Sequence, residues 1–264
     1  MRIRQCICGL KQFKKRLMGK YSLVQFNNQN EPAIAFGLYN QHLVDIILRT
    51  NAMVVIVWSG TDAYDFCFRP KTLNYNGLLQ KKNVRHIAIS KWVSNDLSKR
   101  GIPHICLPVN VASIDIKKFE PVPLGTKIYT YSFSRRPNLY GRQMIDAVKK
   151  KLPDIEFIDN LTEGFNLQYT PNEMPKIYEQ CFMGLRPTLH DGCSNTVIEL
   201  GLMGRKCIHN GWIPGSISWY GVDDIVANIR HEQTKIGTVN KSLAKQIVKY
   251  IDVPYDWLYT EFYK

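Results

Sequence analysis

The first 30 residues contain no aspartate or glutamate, the chain has no Cys-x-x-Cys pair, and no apolar run approaches the ~20 residues a membrane-spanning helix needs. The last absence predicts a chain without a helical membrane span. Seven cysteines, an odd number placed singly, argue for reduced thiols in a cytosol-like compartment, so a cytoplasmic location is expected. Cys6 and Cys8 flank a single residue, a poor zinc site, and His42, His86, His104, His190 and His209 lack ligand spacing, so no metal site is expected. The N-terminus is basic but has neither a continuous apolar core nor a small-residue cleavage site, so no secretory signal is expected.

The missing acids leave a strong charge imbalance. Lysine and arginine number 35 against 22 acidic residues, a formal net charge of +13. Arg2, Arg4, Lys11, Lys14, Lys15, Arg16 and Lys20 all precede the first acid, Glu31, which makes Lys11, Lys14, Lys15 and Arg16 the candidate contacts for a polyanion. Lys81, Lys82 and Arg85, and then Lys149, Lys150 and Lys151, form further basic runs that read equally well as solvated faces.

At 264 residues the chain exceeds a single α/β domain of about 150 residues, so two small domains are expected. Apolar and helical patterns alternate along the first half. Ile3 to Cys8 reads as a strand, Leu10 to Lys20 as a basic helix, Ala33 to Phe36 as a strand and Tyr39 to Arg49 as a helix. Met53 to Trp58 is an unbroken apolar, largely β-branched run, the pattern of a parallel strand buried on both faces. Asp62 follows it closely, and ligands in open parallel sheets bind beyond the carboxyl ends of strands, so Asp62 is a candidate base; it reads equally as a helix cap. His86 to Ser90, Trp92 to Arg100 ended by Gly101, and Ile105 to Val109 continue the alternation. Residues 112–125, with Pro121 and Pro123, read as a linker between residues 1–111 and 126–264. A strand from Lys127 to Phe133, the turn Ser134 to Pro137, an amphipathic stretch from Leu139 to Leu152 and a strand from Ile155 to Ile158 open the second half.

The most informative stretch runs from Gly184 to Arg205. A strand enters a small polar loop, His190-Asp191-Gly192-Cys193-Ser194-Asn195, that opens a helix, followed by another short strand from Lys206 to His209. Unpaired amides at the positive end of a helix dipole suit a phosphate or diphosphate. Thr196 and Glu199 also form a T-x-x-E capping box, which many helices of no special function possess, and Cys193 is a small residue at the helix start.

Asp191 and Glu199 flank seven residues, and this segment resembles the sugar-donor signature of glycosyltransferases of the GT-B class. Ile89 to Pro108 resembles the Ile-Ser…Leu…Gly-Ile stretch that closes their first domain. The resemblance implies an α/β fold of two Rossmann-like domains with parallel sheets facing across a cleft, and Trp257 to Lys264 as a last helix folded back on the first domain. It implies that Glu199 takes the nucleotide ribose, that amides around Ser194, Asn195 and Thr196, with Gly192 and Cys193 beside them, hold the diphosphate, and that Asp191 touches the sugar. The family usually has Glu where this chain has Asp191. Arg135 or Arg136 matches the family's first diphosphate-neutralising cation; the following Lys position holds Tyr140 or Arg142, a departure. Arg186 could add charge at the strand end, and His190 adjoins the loop.

These matches imply a glycosyltransferase using a nucleotide-diphosphate sugar, a UDP-sugar by preference, without cofactor. The spacing of the two acids implies retention, with Asp62 as base if the reaction inverts. The D-x-D triplet that carries a diphosphate-bound cation in the other large glycosyltransferase architecture does not occur, so no metal is implied. Small size and +13 charge resemble compact viral enzymes that glycosylate hydroxymethylated DNA bases, which implies DNA as acceptor. The alternatives are a cell-surface glycan or lipid-linked saccharide, with the basic patches on an anionic surface, and a non-catalytic nucleic-acid-binding protein.

Overall fold

The computed structural model describes residues 1–10, 13–69, 73, 75–109, 114–134, 136–162 and 168–264. The chain divides into two compact units, Met1–Ser113 with Asp191–Cys193 and Ile251–Lys264, and Ile114–His190 with Ser194–Tyr250.

The first unit contains β1 (Gln5–Cys8), α1 (Lys14–Tyr21), β2 (Val24–Gln25), β3 (Ala33–Phe36), α2 (Gln41–Arg49), β4 (Val54–Trp58), α3 (Thr61–Phe68), α4 (Asn76–Gln80), β5 (Val84–Ala88), α5 (Lys91–Lys99) and β6 (Ile105–Cys106). Among the described residues its strands form a six-stranded parallel sheet in the order β2-β1-β3-β4-β5-β6. Every residue of β3 and β4 is buried, as their unbroken apolar runs require. Asn40 caps α2 by accepting from the Leu43 amide at 3.1 Å, so that helix begins two residues later than its apolar spacing suggests. Gly101, at φ +70°, ends α5: the Ile102 amide returns to the Leu97 carbonyl and the Gly101 amide to Ser98.

Side chains of two basic runs are engaged within the protein. Lys81 Nζ donates to the carbonyls of Leu48 and Thr50, both at 2.9 Å, closing the end of α2. Arg85 donates to the carbonyls of Lys82, Val84 and Tyr263. In the second run Lys149 pairs with Asp159 and Lys151 with Asp223.

The expected helix from Trp257 to Lys264 is instead two 3-10 turns, Tyr255–Leu258 and Thr260–Tyr263. The break falls at Tyr259, whose extended backbone makes an antiparallel bridge with Arg2. Trp257 anchors this tail, 1% exposed and edge-on to Tyr21 with ring centroids 5.0 Å apart.

The second unit contains β7 (Lys127–Phe133), α6 (Arg142–Lys151), β8 (Phe157–Thr162), α7 (Met174–Glu179), β9 (Cys181–Leu185), α8 (Asn195–Leu202), β10 (Lys206–Ile208), β11 (Ser216–Ile217), α9 (Val222–Gln233) and α10 (Lys241–Ile251). Among the described residues its sheet is five-stranded and parallel, in the order β11-β10-β9-β7-β8. Ile128, Leu185, Ile145, Val148, Ile225 and Ile229 form the heart of one core. Strand β8 starts later than the expected Ile155, because the Ile155 amide closes a turn onto the Leu152 carbonyl while its side chain enters that core.

Of the expected linker, residues 112–125, the part from Ile114 onward belongs with the second unit. The reason is Arg205. Its guanidinium is fully buried and donates to the carbonyls of Val122, Pro123, Tyr178, Glu179, Cys181 and Met203. Leu124 adds a backbone bond to Thr238 at 2.9 Å.

Candidate active site

At the carboxyl ends of β7 and β9 two loops are joined. The Leu189 amide donates to the Leu139 carbonyl at 3.1 Å, and Gly141 lies so close to Pro187 that a Cβ there would stand 2.3 Å from the Pro187 oxygen. Gly141 also holds φ +67°, which an L side chain rarely adopts. Inside the second loop the Thr188 hydroxyl donates to the His190 carbonyl at 2.8 Å.

This junction fixes Arg186. Its backbone amide donates to Ile208 on the neighbouring strand, and its guanidinium carbon lies 4.5 Å from the Tyr131 ring centroid and 5.1 Å from that of Tyr140. Only 6% of the residue is exposed. Two desolvated cation–π contacts, worth on the order of 2 kcal/mol each, hold a planar charge at the strand end.

Helix α8 begins close beneath. Gly184 lets it approach β9, since a Cβ would meet Leu200 Cδ1 at 2.4 Å. The expected capping box on Thr196 does not form. The helix starts at Asn195 and Ser194 is the cap, its hydroxyl accepting from the Val197 amide, which puts Thr196 second in the helix and Glu199 fifth, beyond the opening turn. Glu199 accepts from the Tyr178 hydroxyl at 2.9 Å. Tyr178 is buried, edge-on to Tyr129 with centroids 4.9 Å apart, and Tyr129 in turn accepts from Asn160 at 2.7 Å. Burial and the neighbouring Glu199 push the Tyr178 hydroxyl well above its ordinary pKa, so it stays protonated and can donate.

The structure thus gathers Arg186, His190, Ser194, Asn195, Thr196 and Glu199 in the second unit, while Asp191, Gly192 and Cys193 belong to the first. Asp191 Oδ1 accepts from the Gly192 amide at 2.8 Å, and Cys193 is buried. Arg136 sits on the exposed turn after β7, its amide bonded to the Phe133 carbonyl. Arg142, one of the two residues at the family's Lys position, pairs with Asp146 one turn along α6. Arg135 and Lys11 lie outside the described residues. Lys14, Lys15 and Arg16 open α1, with Lys15 and Arg16 exposed.

Asp62, in the first unit, is 1% exposed, and its two oxygens accept from the backbone amides of Ser59 at 2.9 Å and Leu38 at 3.1 Å. Burial raises its carboxyl to about 6 against those bonds. Asp62 lies in the first turn of α3, whose N-cap is Gly60 with no side-chain cap bond, so its carboxylate ties down the backbone at Ser59 and Leu38 instead of capping the helix. Among the described residues no group of three His, Cys, Asp or Glu is placed to hold a metal ion. Likewise no described helix is long and apolar enough to cross a membrane.

The sequence reading missed Tyr178 and Tyr131. Alternation along β7 carried a signal for the latter, since Tyr129 and Tyr131 share a strand face.

Two parallel sheets, each interleaved with helices, make this the α/β architecture of the GT-B glycosyltransferases. Among solved structures the chain is similar to sucrose-phosphate synthase from Thermosynechococcus elongatus, with TM-score 0.61, 11% identity and 94% of this chain covering 74% of that one. It is also similar to TarM, with TM-score 0.58, 12% identity and 95% of this chain matched. It spans only 57% of the length of TarM. A TarM variant from S. aureus, solved with fondaparinux, alpha-GlcNAc-glycerol and UDP, matches with TM-score 0.56, 11% identity and 93% of this chain on 57% of that one. No family model and no curated protein matches the sequence. At such identities the likeness is one of fold.

Proposed function

We propose that this chain is a glycosyltransferase that takes a nucleotide-diphosphate sugar, a UDP-sugar by preference, and passes the sugar to a hydroxyl. The observation that carries the reading is the junction after β9, where the clamped cation of Arg186 and the opening turn of α8, with Glu199 one turn on, follow one another in a parallel α/β unit. The leaving nucleoside diphosphate gains negative charge as the glycosidic bond breaks, and fixed amides and a pre-oriented guanidinium stabilise that charge more in the transition state than in the ground state. In this reading Glu199 takes the ribose hydroxyls, the α8 amides and Arg186 take the diphosphate with Arg136 assisting, and Asp191 faces the sugar. The reaction is metal-independent, and the two acids seven residues apart favour retention of anomeric configuration.

The acceptor we propose is a 5-hydroxymethylated pyrimidine in DNA, on the strength of the +13 net charge and the basic opening of α1. Fold likeness to a TarM variant solved with alpha-GlcNAc-glycerol and UDP favours a second reading, a glycan acceptor. The test is to incubate the protein and a panel of UDP- and GDP-sugars with hydroxymethylcytosine DNA, ordinary DNA and glycan acceptors, and to read product masses. A sugar-sized gain on the modified base alone supports the first reading, and a gain on a glycan the second. No transfer, hydrolysis or binding of any nucleotide sugar would remove the donor site itself.

A further inference from the structure

Glu199 is the fifth residue of α8, beyond the opening turn that Ser194 caps. A carboxylate on a half-exposed helix face samples several rotamers, each costing affinity when a ligand must select one. Here one oxygen accepts from a group on another element, the hydroxyl of Tyr178 on α7, 2.9 Å away. Thr196 and Glu199 stand three positions apart, on one face of the helix. One buried hydroxyl on α7 therefore holds the acid that stands one turn beyond the opening of α8.

The contact is built to stay in place. Tyr178 is 1% exposed, its ring is edge-on to Tyr129, and Phe119 lies 6.3 Å away on centroids. The Tyr178 carbonyl accepts from Arg205 at 2.8 Å, so backbone and ring are both anchored.

We propose that Tyr178 is a positioning residue of the sugar-donor site: by donating to Glu199 from α7 it sets the carboxylate at a fixed height above the amides of the α8 opening turn, so that ribose and diphosphate are read together. This rests on the donor-site reading given above. Tyr178 need not touch the ligand. It acts through Glu199, and its loss should be felt at the ribose rather than at the phosphates.

The test is calorimetric titration of the full chain with UDP and with 2′,3′-dideoxy-UDP. Wild type should prefer UDP by about tenfold or more, the discrimination typical of a site built to hydrogen-bond a hydroxyl. Tyr178→Phe, which keeps the ring and its packing, should lose about tenfold in affinity for UDP and little for the dideoxy analogue, so that the ratio collapses. Glu199→Gln should collapse it from the other end of the hydrogen bond, and the double variant should be no worse than Glu199→Gln alone. A merely structural tyrosine would lower Tm, or weaken both nucleotides equally, and leave the ratio intact; that result overturns the proposal. So would additive losses in the double variant. A wild-type protein that binds neither nucleotide would instead overturn the donor-site reading, and this inference with it.

Discussion

The guanidinium of Arg186 is stacked 4.5 Å from the ring centroid of Tyr131, so a planar cation at the end of β9 is oriented by an aromatic ring on β7. Lysine cannot reproduce this, because its ammonium is a point charge without a planar face. Arg186→Lys should lower transfer kcat/KM roughly tenfold to a hundredfold at unchanged net charge, and Arg186→Ala should lower it further. Steady-state kinetics with circular dichroism as a folding check decides it; wild-type rates in Arg186→Lys would show that charge alone matters there.

Gly141 and Gly237 provide a matched pair, with φ of +67° and +81°. A Cβ on Gly237 meets nothing within 4 Å, whereas one on Gly141 meets the Pro187 oxygen at 2.3 Å. Both alanine variants should lose about 1–3 kcal/mol from backbone strain. Only Gly141→Ala should also weaken UDP binding, because it pushes apart the loops that carry Tyr140 and Arg186. Equal nucleotide affinity in the two variants would refute the coupling.

Asp62 sets a pH dependence of stability. Its folded carboxyl is raised to about 6 from an ordinary 3.8, so the folded protein binds more protons than the unfolded chain between those values. The contribution is full below 3.8 and is lost as pH rises through about 6. Asp62→Asn does not titrate and turns one acceptor into a donor facing a backbone N–H, which should cost about 1–3 kcal/mol. Thermal melts should show the gap in Tm between wild type and Asp62→Asn narrowing from pH 4 to pH 7, about the interval spanned by the two pKa values. A gap that widens with pH contradicts the assignment.

For α1 the expectation is electrostatic. Replacing Lys14, Lys15 and Arg16 together by Gln should reduce the salt dependence of duplex DNA binding, the slope of log K on log salt falling by roughly 0.9 for each phosphate no longer neutralised. Fluorescence anisotropy over a salt series measures this. An unchanged slope would remove α1 from the acceptor surface.

Much of the fold was legible because it depends on runs of residues. The unbroken apolar sequence of β4 and the strand-loop-helix pattern after Gly184 each announce themselves locally. What was not legible depends on single side chains reaching across the chain. The start of α8 was misplaced because Ser194 and Thr196 are both competent caps, and their sequence does not say which faces the Val197 amide. The expected linker of residues 112–125 is held from Ile114 on because its Val122 and Pro123 carbonyls meet one arginine more than 80 positions away. Tyr178 gave no sign, because a lone tyrosine on a short helix is ordinary until its hydroxyl is seen against Glu199. Charge misled as well, since Lys81 and Arg85 count toward the +13 total but are spent on backbone carbonyls.

Arg205 gives the second unit a property that no strand or helix alone would confer. Its six carbonyl partners come from the segment before β7, the end of α7, the start of β9 and the end of α8. Peeling away any one of them leaves N–H groups of a buried cation unmatched, so partial opening carries a penalty of its own. Amide hydrogens across those four places should therefore exchange with solvent in one concerted event, and the frame beneath Tyr178 should melt as a block rather than fray.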